Sequence, residues 1–369
     1  MRHTWEYKKL GEVAEIIGGS TPKTNVKEYW DGDYFWITPA ELKGDRFIKS
    51  TSRTITDLAV ENTHLSLLPK GTVLLSSRAP IGKVAIADVP MYCNQGFKNI
   101  ICGEKLNNNY IYWLLYGKTE YLNSLGVGAT FKEISKKIVE NITIPVPPLP
   151  TQQAIVSELD TLSGIIAECK ETLKDYDALE QSIFYDMFGD PVKNEKGWEV
   201  KKLGEIVKDI FAGGDKPKDY SEIKTEEYCY PIIANGDGDK GILGYSKTYR
   251  VSEPAVTIGA RGASIGNCRI CREKFLPVVR LITIIVGDKI DVEFLYFIVG
   301  KINFGISGAG QAQLTVPNVV SEDIILPHLP LQQSFATKIE AIEQMKAETR
   351  EALQEAETLF QARMDYWFN

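Results

Sequence analysis

The chain has 369 residues, is 44% hydrophobic, and carries 6 Cys, 3 His and a formal charge of −7. That is enough for two or three packed domains. No apolar run reaches the ~18 residues of a membrane span, and the opening MRHTWEYKKLGE lacks the apolar core of a secretion signal, which predicts a cytoplasmic protein with reduced thiols rather than a membrane or disulfide-framework protein.

Residues 1–150 are rich in short β-branched runs cut by Gly and turn residues (GTVLLSS, GKVAIAD), with a helix-like piece near Tyr110, and are read as a mixed α/β domain. A proline-rich stretch, IPVPPLP, ends it, because proline removes a ladder donor and holds its predecessor extended. From there the period changes. Over 151–190, Ile155, Leu159, Leu162, Ile166, Cys169, Leu173, Tyr176, Ile183 and Met187 follow steps of three and four broken at Glu180, which predicts one long helix with a narrow apolar seam. FGDP at 188–191 closes it. A second α/β domain is predicted over 191–330, with runs such as RLITIIVGD and a helix-like piece near Phe294. A second long helix follows over 331–369, on Phe335, Ile339, Ile342, Leu353, Ala356 and Phe360, with Lys346 and Thr349 interrupting the frame.

The two halves repeat each other. WEYKKLGEVAEIIGGSTPK (5–23) returns as WEVKKLGEIVKDIFAGGDKPK (198–218), SSRAPIGKVAI (76–86) as GARGASIGNCRI (259–270), and GATFKEISKKIVENITIPVPPLPTQQ (128–153) as GAGQAQLTVPNVVSEDIILPHLPLQQ (308–333) without a gap. Landmarks in one order over so long a separation mean that a whole unit is duplicated. Each apolar seam needs a partner, and the other helix is the nearest candidate. The expected architecture is therefore α/β (mixed α+β), two similar domains in tandem separated by two long helices that form an antiparallel coiled coil with pseudo-twofold symmetry.

Charge is uneven along this plan. Basic and acidic residues number 18 and 15 over 1–150, 2 and 9 over 151–190, 18 and 18 over 191–330, and 4 and 7 over 331–369. The acidity sits mainly on the helices. The two domains remain compatible with a nucleic-acid face, although with weak non-specific affinity, since few phosphates would be neutralised.

Motifs for catalysis are sparse. GGSTPKT at Gly18 lacks the Gly-Lys-Ser/Thr ending of a phosphate loop, FGISGAG (304–310) does not sit between a first strand and a helix, and Asp33, Glu41 and Lys43 only mimic a nuclease spacing. Cys268 and Cys271 form a lone C-x-x-C without a second pair, and His3, His64 and His328 fall in no metal or triad pattern. No metal site and no catalytic residue is expected.

The ordered set W-x-x-K-K-L-G-E, GGSTPK, SSRAPIG, NQGFK and P-x-L-P-x-Q-Q with its heptad helix, together with its second copy, resembles the specificity subunit of bacterial type I restriction-modification systems. The likeness covers essentially the whole chain. It implies two target recognition domains, 1–150 and 191–330, each reading one half of a split double-stranded DNA target. The helices 151–190 and 331–369 would act as spacer and would dock two methyltransferase subunits, with restriction/translocase subunits joining. The chain itself would be non-catalytic and without a cofactor of its own, S-adenosylmethionine, ATP and Mg belonging to the other subunits. A coiled-coil scaffold without DNA specificity is the alternative.

Residues predicted to meet DNA are polar, cationic or stacking groups in loops. In the first domain they are Gly18, Gly19, Ser20, Thr21, Lys23, Ser77, Arg78, Gln95, Lys98, Thr130 and Phe131. In the second they are Gly213, Gly214, Lys216, Lys218, Asn235, Arg261, Gln311 and Gln313. Glycine loops would offer amides to phosphates, and Arg78 and Arg261, at matched positions, would bind a guanine or a phosphate in two-pronged fashion.

Overall fold

A computed structural model describes residues 5–63, 65–128, 132–236, 241–304 and 313–368. The chain divides into two compact units, Met1–Cys169 with Ala352–Asn369, and Lys170–Glu351. Each unit thus joins one α/β domain to a part of both long helices.

In the first domain a five-stranded sheet runs in the order Ala14–Gly18, Lys98–Cys102, Val73–Leu75, Val84–Ala87, Phe47–Ile48. It is antiparallel except for the last pair. A three-stranded sheet (Arg53–Ile55, Trp30–Ile37, Tyr92–Cys93) lies beside it in the chain's wiring, and Glu6–Lys9 pairs with Thr143–Val146 where the domain opens and closes. The second domain repeats the plan. Its four-stranded sheet is Asp209–Ala212, Ile282–Ile285, Ala255–Ile258, Cys268–Cys271; its three-stranded sheet is Ile242–Ser246, Tyr230–Ile233, Leu276–Pro277; and Val200–Lys202 pairs with Asp323–Ile325.

Central strands are largely apolar because both of their faces are covered. Val73 and Leu75 enter a core with Tyr110, Ile111 and Leu114, while Leu74 between them enters a second core with Ile37, Ala85 and Phe97. The period of two along a strand makes this division unavoidable. In the second domain Val256, Ile258, Ile282 and Ile284 pack with Phe294 and Phe297, and Ala255 and Ile285 face the other way with Phe275. The covering helices are Asn108–Tyr116 and Val292–Val299. Asn107 and Asp291 cap them, each accepting hydrogen bonds from two backbone amides of the first turn.

The long helices are Leu149–Phe188 and Leu329–Phe368. Pro150 and Pro330 stand in their first turns, where a missing N–H costs nothing. The repeated Gln-Gln then has a physical explanation. Gln152 is fully buried; its Nε2 donates to the carbonyls of Pro147 (2.8 Å) and Lys105 (2.9 Å), and its Oε1 accepts from the amide of Asn107 (2.8 Å). Gln332, equally buried, donates to Pro327 (2.7 Å) and Lys289 (3.3 Å) and accepts from Asp291 (2.9 Å). One side chain in each unit laces the start of a long helix to the cap of the domain's own helix.

Within each unit the two long-helix segments run antiparallel. In the first, Glu158 takes Nη2 of Arg363 (3.0 Å) and Nε1 of Trp367 (2.9 Å), and Met364 and Phe368 complete the domain core. In the second, Phe184 meets Phe335 at 5.7 Å between ring centroids, and Phe188, Phe294 and Phe297 join them. The buried frame there differs from the expected seam. Phe184 and Phe188 are fully buried, whereas Ile183 and Met187 are only partly so, because this end of the helix packs on a domain core wider than a two-helix seam. Two of the three polar interruptions of the heptads, Glu180 and Lys346, prove to be partners. Lys346 Nζ lies 2.7 Å from Glu180, 2.7 Å from Asp177 and 2.9 Å from Glu343. Burial disfavours its charge, but the three carboxylates outweigh that and hold its pKa above the usual lysine value.

Lys346→Met leaves Glu180 enclosed without its cation, so thermal denaturation is expected to show a loss of about 3–5 kcal/mol. The double variant Lys346→Leu, Glu180→Leu is expected to recover most of it.

Candidate nucleic-acid interface

Sequence order brings three loops of the first domain together. The loop after strand Ala14–Gly18 is pinned because the Ser20 amide donates to the Cys93 carbonyl (3.0 Å), and the Trp36 indole donates to the Ser20 carbonyl (3.1 Å). Gly19 has no alternative here, since a Cβ would sit 2.1 Å from the Cys93 oxygen. Thr21 then hydrogen-bonds Gln95. From Gln95 the contacts run on: Lys98 Nζ reaches the Gln95 carbonyl (3.5 Å), the Ser77 hydroxyl (3.3 Å) and Glu133 Oε1 (3.0 Å). Arg78 lies across from the same carboxylate at 3.9 Å. Gly18 pairs with Lys98 in the sheet. Gly18, Thr21, Ser77, Arg78, Gln95 and Lys98 therefore form one connected patch, with Lys98 largely enclosed and Arg78 and Glu133 more than a third exposed. Lys23 is exposed, and its carbonyl accepts from the Trp30 indole (3.3 Å).

The second domain builds its patch on the same backbone plan. A Cβ at Gly213 would lie 2.7 Å from the Pro277 carbonyl, the counterpart of the squeeze at Gly19. The Gly214 carbonyl accepts from the Val279 amide (2.7 Å). Asn235 is a structural clasp, donating to the Val279 carbonyl (2.7 Å) and accepting from the Ala260 amide (2.7 Å). Arg261 extends beside Gln313, Nη2 to Oε1 at 3.5 Å. Lys216 rests its ammonium 3.5 Å from the Tyr220 ring centroid, a cation–π contact, and Lys218 is exposed.

One bracket is common to both. The Ile134 amide donates to the Ser77 carbonyl at 3.0 Å, and the Leu314 amide to the Ala260 carbonyl at 3.0 Å. Each bond sets the next pair of residues side by side as a β-bridge: Arg78 with Glu133, and Arg261 with Gln313. Thr130, Phe131 and Gln311 lie outside the described residues, as do His64 and most of the 304–310 loop.

Two residues of these patches are absent from the sequence-based set. Glu133 is the acceptor that Arg78 and Lys98 share, and the ungapped alignment already placed it opposite Gln313. Arg280 is exposed with φ 62°, next to Val279 at φ 54°. Two consecutive left-handed residues without glycine are strained, a feature that gathers at functional loops. Its counterpart region reads NQGFK, so no sequence signal marked it. Of the weaker motifs, Glu41 is engaged as a cap, accepting from the Thr38 amide (2.8 Å) and the Ser52 amide (2.7 Å). Cys268 and Cys271 sit in one strand, where burial pushes their thiols up to about 12 and about 11. Among the described residues no group of three or more His, Cys, Asp or Glu is placed to hold a metal, and no helix is long and apolar enough to cross a membrane.

The chain is similar to known proteins. The family model for the type I restriction modification DNA specificity domain matches residues 2–175 and again 195–358. The chain is 32% identical to the type I restriction enzyme MjaIX specificity subunit of Methanocaldococcus jannaschii, over 92% of this chain and 86% of that protein. It is 24% identical to the EcoprrI specificity subunit of Escherichia coli, over 89% and 84% respectively. The crystal structure of a type I restriction-modification S subunit from M. genitalium superposes with a TM-score of 0.66, covering 99% of this chain and 96% of that one at 15% identity, a likeness of fold. With the family model matched twice and a relative of this identity spanning nearly its whole length, the chain belongs to the type I restriction-modification DNA specificity family, as a specificity subunit with two tandem recognition domains.

Proposed function

We propose that the chain reads a bipartite DNA target, one half-site per recognition domain, and that its long helices set the separation of the half-sites and dock methyltransferase and restriction subunits. Catalysis, with S-adenosylmethionine, ATP and Mg, belongs to those subunits, and the assembly works in the cytoplasm. The observation that carries the reading is the bracket repeated in both domains, which presents an arginine beside an acceptor side chain at one structural position twice. Arginine supplies the paired donors that match guanine O6 and N7, and an acceptor beside it fixes its direction. The middles of the domains differ in sequence, so the two half-sites differ. The acidic outer faces of the helices suit basic partner surfaces.

The first experiment is adenine-methylation mapping by single-molecule sequencing, in cells with and without the gene. Loss of methylation at one split motif with a fixed gap is expected on deletion. An unchanged methylome with an active cognate methyltransferase would sink the proposal and leave a scaffold without DNA specificity. In the assembled complex, Arg78→Ala and Arg261→Ala are each expected to lose about 1–3 kcal/mol of discrimination at one base pair, in opposite half-sites. Lys23→Ala and Lys218→Ala, at exposed lysines, are expected to weaken all sequences alike and to reduce the salt slope of binding by about 1 each; titration of labelled duplexes at several salt concentrations checks both.

A further inference from the structure

We infer that the matched position 133/313 is a specificity-determining site of the two recognition domains, with Glu133 selecting a base that offers only an amino group, and Gln313 one that offers an amino group beside a ring acceptor. The inference rests on the DNA-reading function proposed above. Its starting point is the chemistry of the bracket, which is the same in backbone and different in side chain. In the first domain the acceptor is a carboxylate lying 3.0 Å from Lys98 Nζ and 3.9 Å from Arg78 Nη1. In the second it is a carboxamide 3.5 Å from Arg261 Nη2, and Ile282 occupies the sheet place that Lys98 has in the first domain, buried and uncharged.

Glutamate and glutamine are nearly the same size, so packing does not demand one over the other, although at 133 the negative charge is matched to Lys98 and Arg78 and at 313 the buried Ile282 stands where Lys98 would be. What separates them is hydrogen-bond capacity. A carboxylate only accepts; a carboxamide accepts through Oε1 and donates through Nε2. In the major groove an acceptor alone meets the N4 amino group of cytosine, whereas paired acceptor and donor meet adenine N6 and N7. Beside each stands an arginine with affinity for guanine, so each bracket offers a two-residue reading head. Glu133 remains more than a third exposed despite its two cationic neighbours, so its side chain is accessible to a base. Lys98, by contrast, is largely enclosed and satisfied by Ser77, Gln95 and Glu133, which makes it the positioning residue for the carboxylate.

The test uses the assembled methyltransferase complex and a duplex library randomised over both half-sites, with Glu133→Gln and Gln313→Glu as the variants. Glu133→Gln is expected to change relative base preference about 10-fold or more at one position of the first domain's half-site, leaving the other half-site as in the wild type. Gln313→Glu is expected to do the reverse. A structural role alone would instead weaken every sequence equally, and that outcome, or an unchanged preference profile in both variants, overturns the inference. Should Glu133→Gln fail to fold, Gln313→Glu, which touches no second cation in the bracket, decides the matter alone. A wild-type complex that selects no split motif overturns the reading function and this inference together, whereas a wild-type split motif left untouched by both variants overturns this inference only.

Discussion

The glutamine that follows each proline at the start of a long helix is the interaction on which the rest of the protein depends. A glutamine amide has two donors and an acceptor in one plane, and in both units all of them are used on backbone groups. One of those groups is the amide of the residue that caps the covering helix. The direction in which the long helix leaves its domain, and the seat of the helix beneath the sheet, are thereby tied to one another. Apolar packing alone would hold the two elements together but would leave them free to slide, because hydrophobic burial has no direction.

Register between the long-helix segments has a different origin in each unit. In the second, a lysine buried among three carboxylates stands where an apolar residue would be expected, and its match to Glu180 penalises any slip that would strand either charge against the Phe184 end. In the first, Glu158 receives Arg363 and Trp367 from one face of the opposite helix, a surface-facing arrangement in which the carboxylate's pKa, raised by partial burial, is pulled down further by these donors to below the ordinary carboxylate value. Units descended from one duplication have thus reached the same helix pairing by unrelated polar contacts. The shared part is the lace, the sheets and the bracket; the divergent part is how the seam is keyed.

Much of this was legible in the sequence, for identifiable reasons. The repeat showed itself because its landmarks are residues with little freedom: the paired glutamines, the glycines that carbonyls crowd at Gly19 and Gly213, and the arginines of the bracket. The interruptions at Glu180 and Lys346 were visible too, but as defects of a pattern. Their complementarity depends on antiparallel register, which a single heptad frame does not contain. Phe184 and Phe188 were missed in favour of their neighbours for a similar reason, since a heptad template describes a narrow seam and these rings enter a broad aromatic core. Glu133 escaped notice because acidic residues argue against DNA contact when taken singly; only beside Arg78 and Lys98 does the carboxylate become a way of aiming cations. Arg280 depends on a left-handed backbone that neither its own residue type nor Val279 favours.

The closing of the first core by Met364 and Phe368 has a consequence for how the protein is made. The carbonyl of Phe368 accepts from Lys118, 250 residues earlier, and both C-terminal side chains are buried among residues that begin with Leu10. During translation the first domain emerges long before these residues do, so it waits on the ribosome with an apolar face uncovered. A nascent chain in that condition is a natural client for chaperones, and a premature stop near residue 350 would strip a cap from the domain that had been synthesised first.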